Sequence, residues 1–300
     1  MNPSLVLAML IAALPLSRGQ AGDSLDAVIA PLVKAHKGHV AIAVKNLKTG
    51  ETYAINPDEI MPTASLIKFP VMIEAYRQAA EKKINLDETI TLNKSDKVPG
   101  SGVLTHHFSD GATFPLRDAV RLMIVFSDNT ATNLVLDRIG IESTAETMEK
   151  LGCANTKIHS KVFRRDTSKF PDRSKQYGLG STTAGEMIRL FEALHRKELV
   201  SPEACEQMTS HLLKCDDAEK FPRFLPEGTR IAFKTGSVDD IRTAAGIIET
   251  PKGPVALCVL TSNNEDKRYK ADNAGNRLCA EVAREVFRHF GGEVAVEHTR

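Results

Sequence analysis

The chain has no tryptophan, and its aromatic residues amount to only 5%. Its formal net charge is +1. No basic, aromatic-rich pattern is therefore present on which single-stranded nucleic acid could stack, and no charge excess would draw a nucleic acid or an anionic membrane. Cysteine is scarce: Cys153, Cys205, Cys215, Cys258 and Cys279 are scattered, with no C-x-x-C among them. That excludes the usual zinc-site and thioredoxin-type spacings. Cys205 and Cys215 could bridge only if the chain turned back near Lys214, since on one unbroken helix they would stand about 15 Å apart. Buried free thiols are the expected state of most of these residues.

Long apolar runs are missing as well, and no stretch approaches the roughly 18 residues of a membrane-spanning helix. The longest, residues 5–16, is followed by small and polar residues and reads as a secretory signal peptide (residues 1–21), cleaved near Ala21, although it lacks a basic leading region. We therefore expect an exported protein, periplasmic or secreted, whose mature part is residues 22–300. Hydrophobic content of 42% and charged content of 26% are those of an ordinary globular protein with an ample core. Nothing calls for a cofactor, and nothing demands more than a monomer.

Hydrophobic periodicity predicts a helix over 24–36, then strands over 39–45 and 51–55 joined as a hairpin. A long, mostly helical middle follows, with helices from Ser65 to about Lys83 and over 116–126, 130–139, 182–197 and 202–213. A turn-rich loop occupies 97–102, and 155–181 shows no clean period. Connections that long are often functional. Strands return over 230–237, 243–249 and 255–261, and an amphipathic helix closes the chain over 276–290. Strands at both ends around a helical centre predict one sheet built from both termini.

Within this frame Ser65-Leu66-Ile67-Lys68 opens a helix. A serine hydroxyl needs a neighbouring base to become a nucleophile, and a residue three positions on shares its helix face. The lysine must be neutral to serve, which the positive end of the helix dipole and a second nearby cation would favour. The Ser65 amide, unpaired at a helix start, could hold a developing oxyanion. A chain this long contains roughly one S-x-x-K by chance, so the motif needs partners. Two follow in order. Ser127-Asp128-Asn129 forms a polar joint between helices, although those residue types also cap helices. Lys234-Thr235-Gly236-Ser237 ends a strand, whereas the earlier Lys48-Thr49-Gly50 reads as a hairpin turn. His106 and His107 lack the spaced partners of a zinc site and read as rim or surface histidines.

The ordered set Ser65-x-x-Lys68, Ser127-Asp128-Asn129 and Lys234-Thr235-Gly236 resembles the class A β-lactamases and related penicillin-recognising serine enzymes. Residues 121–133 and 231–237 extend the resemblance, which covers about 24–291. It implies an α/β (α+β) fold: an antiparallel sheet flanked by helices, built from residues 22–62 and 215–300, packed against a mainly helical part, 63–214. It implies Ser65 as the acylated nucleophile, Lys68 as its base and Ser127 as proton relay to the leaving nitrogen. Lys234 would keep the cleft electropositive, Asn129 would bind the substrate's amide side chain, and Asp128 would buttress the joint. Thr235, Gly236 and Ser237, with Arg242, would meet the substrate carboxylate, and the Ser237 amide would complete the oxyanion hole. The implied partner is a small β-lactam or a D-alanyl peptide. One departure stands out. The family's loop pattern R-x-E-x-x-L-N, whose glutamate activates the deacylating water, is replaced. Read as Arg164-Arg165-Asp166, aspartate takes the glutamate position; aligned from Thr156, Phe163 does. The ionic latch expected at the end of this loop has become Gly180-Ser181. A β-lactamase is the leading reading, with a D-alanyl peptidase or esterase, or a penicillin-binding protein that acylates and deacylates slowly, as alternatives.

Overall fold

The computed structural model describes residues 24–294, so the signal-peptide reading of residues 1–21 lies outside it. The Ser24 hydroxyl caps α1 (Leu25–Ala35), accepting the Ala27 amide at 3.3 Å. β1 (His39–Asn46) and β2 (Thr52–Ile55) form the expected hairpin. A short β3 (Met61–Pro62) leads into a 3₁₀ turn, Ala64–Ile67, and α2 (Lys68–Ala80) continues from it. β4 (Thr89–Thr91) pairs with β5 (Thr113–Pro115), and between them lies the short α3 (Leu104–His107). Then come α4 (Leu116–Val125), α5 (Asn129–Ile139) and α6 (Ile141–Lys150).

The stretch without clean period is largely ordered. It contains β6 (Lys157–Ile158), a 3₁₀ turn at Arg165–Thr167, α7 (Pro171–Tyr177) and β7 (Gly180–Thr182). The helix expected from residue 182 begins later, as α8 (Ala184–His195), because Thr182 pairs with Met61 in a small sheet and the Thr183 hydroxyl caps the helix. α9 (Pro202–Leu212), β8 (Ile231–Val238), β9 (Ile241–Ile248), β10 (Val255–Ser262) and α10 (Ala274–His289) complete the chain. Among the described residues no helix is long and apolar enough to cross a membrane.

The five-stranded sheet is antiparallel, ordered β2-β1-β10-β9-β8, and so joins both chain ends. Alternation along the strands separates two cores. Val40, Ile42 and Val44 of β1, with Val255, Leu257 and Val259 of β10, face α1 and α10. Ala41, Ala43, Ala256, Cys258 and Leu260 face the helical part, where small residues let α8 lie close. α2 is buried on nearly every side, with Phe69, Val71, Met72, Ile73 and Ala75 fully enclosed, as expected of a helix at the centre of a bundle. Its ring Phe69 stacks on Phe191 of α8 at 4.3 Å. The buried Glu74 is satisfied by Arg77, Gln78 and Thr147, so it is a structural anion. All five cysteines are free, Cys205 and Cys215 included.

Candidate active site

The edge strand β8, the turn before α2 and the joint between α4 and α5 enclose a cleft of about 190 Å³. It is lined by Ser65, Ser127, Lys234, Thr235, Gly236 and Ser237, with Ser101, Phe126, Cys215, Asp216 and Asp217 among the others. All three motifs therefore converge, although they lie far apart in sequence. Ser65 sits in the 3₁₀ turn and Lys68 begins the α-helix, where a one-helix reading expected both in regular α geometry. In a 3₁₀ turn residues three apart eclipse, so the two side chains share one direction. Ser65 is half-buried, and among the described residues its hydroxyl makes no hydrogen bond.

Lys68 is fully buried. Its Nζ donates to the Ser127 carbonyl at 2.7 Å and to Asn129 Oδ1 at 2.8 Å, and lies 3.3 Å from the Ser127 hydroxyl. Burial, reinforced by the Lys234 charge and only partly opposed by Asp128, holds its pKa well below the ordinary lysine value. In its neutral form the amine would give its two protons to the two carbonyl acceptors and keep its lone pair for a hydroxyl. Lys234 is buried too and donates to the Thr235 carbonyl at 2.9 Å. Burial lowers its pKa, with Cys215 and Asp217 acting the other way.

Gly236 has a steric reason. A Cβ there would stand 2.4 Å from the Thr63 carbonyl, 2.6 Å from Thr243 Oγ1 and 2.8 Å from the Ser65 amide nitrogen. Its absence lets β8 lie against the Ser65 turn, which Thr243 ties down by donating to the Thr63 carbonyl at 2.8 Å. On the other wall Ser127 holds a left-handed backbone (φ 53°), and Ala64, just before Ser65, does likewise (φ 45°). Such non-glycine conformations cost about 1–3 kcal/mol each and persist where their surroundings impose them. Asp128 supplies that restraint: one carboxylate oxygen caps α5 at the Ala131 amide (2.8 Å), the other accepts from Val103 (2.7 Å) and Leu104 (2.8 Å).

Three expected site residues are placed elsewhere. Asn129 is buried, with Oδ1 on Lys68 and Nδ2 donating to the Pro99 carbonyl at 3.0 Å, so its amide orients the lysine and does not line the cleft. Arg242 is buried among carbonyls: it donates to Asp239, Ile241 and Arg268 and lies 4.9 Å over the Tyr269 ring. Asp166 is exposed on its 3₁₀ turn and is not among the cleft's lining residues. The loop segment held against α5 is Val162, whose backbone is gripped on both sides by the Asn133 side chain (2.8 and 3.0 Å). Phe163, exposed and left-handed, lies beside Gly100 at the rim. Residues that sequence reasoning did not assign to the site are Cys215, weighed only as a disulfide partner or buried thiol, and Asp216 and Asp217, which follow α9 and carry no motif. Asp217 pairs with the buried Lys220 at 2.8 Å; burial raises its pKa, but Lys220 outweighs this and holds it low.

A cleft lined by a serine hydroxyl free of hydrogen bonds, a second serine and a strand lysine, and backed by a buried lysine of lowered pKa bonded to that second serine, has the parts of a serine hydrolase. The profile of the beta-lactamase enzyme family matches residues 24–290, and the chain belongs to that family. A β-lactamase of Sphaerobacter thermophilus is 31% identical, with 89% of this chain and 97% of that chain covered at a TM-score of 0.78. A β-lactamase of Bacillus licheniformis is 27% identical over 249 residues, 80% of this chain and 75% of that protein. PBP-A, at 24% identity and a TM-score of 0.76 over 93% of this chain and 99% of its own, shares the fold. A PBP-A mutant is known as an acyl-enzyme complex with penicillin G. The protein is a β-lactamase-family serine hydrolase with the β-lactamase/transpeptidase-like fold.

Proposed function

We propose that the protein is a class A-type enzyme that opens the β-lactam amide through an acyl-enzyme on Ser65. The observation that carries this reading is Lys68: a buried amine, one turn from an unbonded serine hydroxyl, with its protons committed to two carbonyl oxygens. Lys68 takes the Ser65 proton as Oγ attacks the lactam carbonyl. The Ser65 and Ser237 amides hold the oxyanion. Ser127 passes a proton to the ring nitrogen as the C–N bond breaks, leaving an ester on Ser65. Lys234, Thr235 and Ser237 receive the substrate carboxylate, and Gly236 keeps that strand close. Water then releases the acid. Export to the periplasm or medium is part of the same proposal.

A second reading has its own observation. With Asp166 exposed and outside the cleft, no carboxylate of this loop is placed to activate water, which favours slow release of the acyl group, as in a penicillin-binding protein or D-alanyl peptidase. One time course separates the readings: chromogenic cephalosporin hydrolysis followed by stopped flow and intact-protein mass. Continuous turnover with a transient Ser65 adduct is the β-lactamase result. A single burst and a lasting adduct, with faster turnover of a D-Ala-D-Ala peptide, is the other. Undiminished turnover in Ser65→Ala would sink both. Asp166→Ala is expected to leave the release rate unchanged, and a hundredfold loss would restore Asp166 as the base.

A further inference from the structure

We propose that Asp216 makes this cleft select substrates that carry a positive charge on the leaving-group side of the scissile amide. The proposal rests on the acyl-transfer reading above. Among the charged side chains lining the cleft, the others are already accounted for. Lys234 faces Asp217 and Cys215, and Asp217 is bound to Lys220. Asp216, by contrast, is exposed, and among the described residues its carboxylate makes no hydrogen bond or ion pair. Arg242, the cation that could have balanced it, is tied to three carbonyls outside the cleft.

Position assigns the side of the substrate. The Asp216 amide donates to the Val125 carbonyl at 2.9 Å, which pins Asp216 to the end of α4. Val125, Phe126, Ser127 and Asp216 thus form one wall. Ser127 is the group that meets the leaving nitrogen, so substituents on that half of the substrate face Asp216. The same wall exposes the Phe126 ring, 40% accessible. A carboxylate beside an open aromatic face suits a flat or quaternary cation, attracted by charge and by the ring quadrupole together.

The test uses two cephalosporins with the same acyl side chain, one bearing pyridinium and the other acetoxy at the 3′ position. Acylation rate constants are measured by stopped flow on wild type and Asp216→Asn. The readout is the change in the pyridinium-to-acetoxy ratio, in which the compounds' intrinsic reactivities cancel. The ratio is expected to fall about two- to fivefold in the variant, the value of one solvent-exposed charge pair, and the wild-type ratio to shrink with added salt. Asp216→Lys should depress it further. Because the side chain is exposed and unbonded, the variants should melt with wild type. Ser65 adducts with a ratio unmoved by either substitution would overturn this proposal alone. Absence of any adduct on wild type would overturn the acyl-transfer reading and the proposal with it.

Discussion

Lys68 shows how much a single side chain depends on its surroundings. Exposed, it would be an ammonium with nothing to accept. Buried, facing Lys234 and bonded to two carbonyl oxygens, it is held well below the ordinary lysine pKa, which favours the neutral form that the proposed role as base requires. Lys68→Met should lower the rate of acylation by about 10² to 10⁴, the usual share of a general base, with the fold retained. The check is the burst rate together with the melting temperature. Gly236→Ala should be worse than its size suggests. The added methyl would meet the Thr63 carbonyl and the Ser65 amide at contacts no Cβ tolerates, so β8 must shift from the Ser65 turn. Loss of acylation in a folded protein is the expected result. The motif residues could be listed from the sequence, but the steric task of Gly236 could not. It exists only once β8 lies on the turn of a distant segment.

Among the elements, the loop 155–181 teaches most. Its lack of period was a true signal of irregular chain, yet short strands and a helix pin it. In place of an ionic latch, a hydrogen-bonded one closes its base. His159 Nδ1 donates to the Gly178 carbonyl (2.9 Å) and its Nε2 lies 3.1 Å from the Ser181 hydroxyl, which itself donates to the Asn155 carbonyl at 2.9 Å. Arg173 reaches Ser181 at 3.1 Å and the Asn155 carbonyl at 3.3 Å, and Glu186 holds the Asn155 amide. At the far side Asn133 grips Val162. Asn133→Ala removes two buried hydrogen bonds and leaves the Val162 backbone unpaired, at a cost of about 1–3 kcal/mol per unsatisfied group. Limited proteolysis should then cut first within 155–181, and equal resistance in variant and wild type would refute the clamp. None of these partners was legible in advance, since each joins residues whose spacing carries no pattern.

For the molecule taken together, pH is the informative variable. Burial depresses the pKa of His159 to about 4 and that of His211, bonded to the Tyr76 hydroxyl at 2.8 Å, also to about 4. In the unfolded chain both titrate near 6.5. The unfolded state therefore binds more protons between these values, and stability falls as pH drops from about 6.5 towards 4. Above 6.5 the two histidines add no pH dependence. Thermal unfolding from pH 8 to pH 4 should show that acid-side slope, and His211→Gln should remove one proton's worth of it. A slope identical in the variant would show that other groups are responsible.

The amino-acid sequence by itself determined the main helices, the strands of the large sheet and the three motifs, because periodicity and local chemistry are written in adjacent residues. From these alone followed a sheet made of both chain ends and a serine with a lysine one turn away. Only the tertiary structure decided which of the named residues share a cleft. It turned Asn129 onto Lys68, Arg242 into a nest of carbonyls and Asp166 to the surface, and it brought Cys215, Asp216 and Asp217 into the cleft lining. The reason is physical: the orientation and charge of a polar side chain are set by the partners that burial supplies, and those partners come from segments distant in the chain.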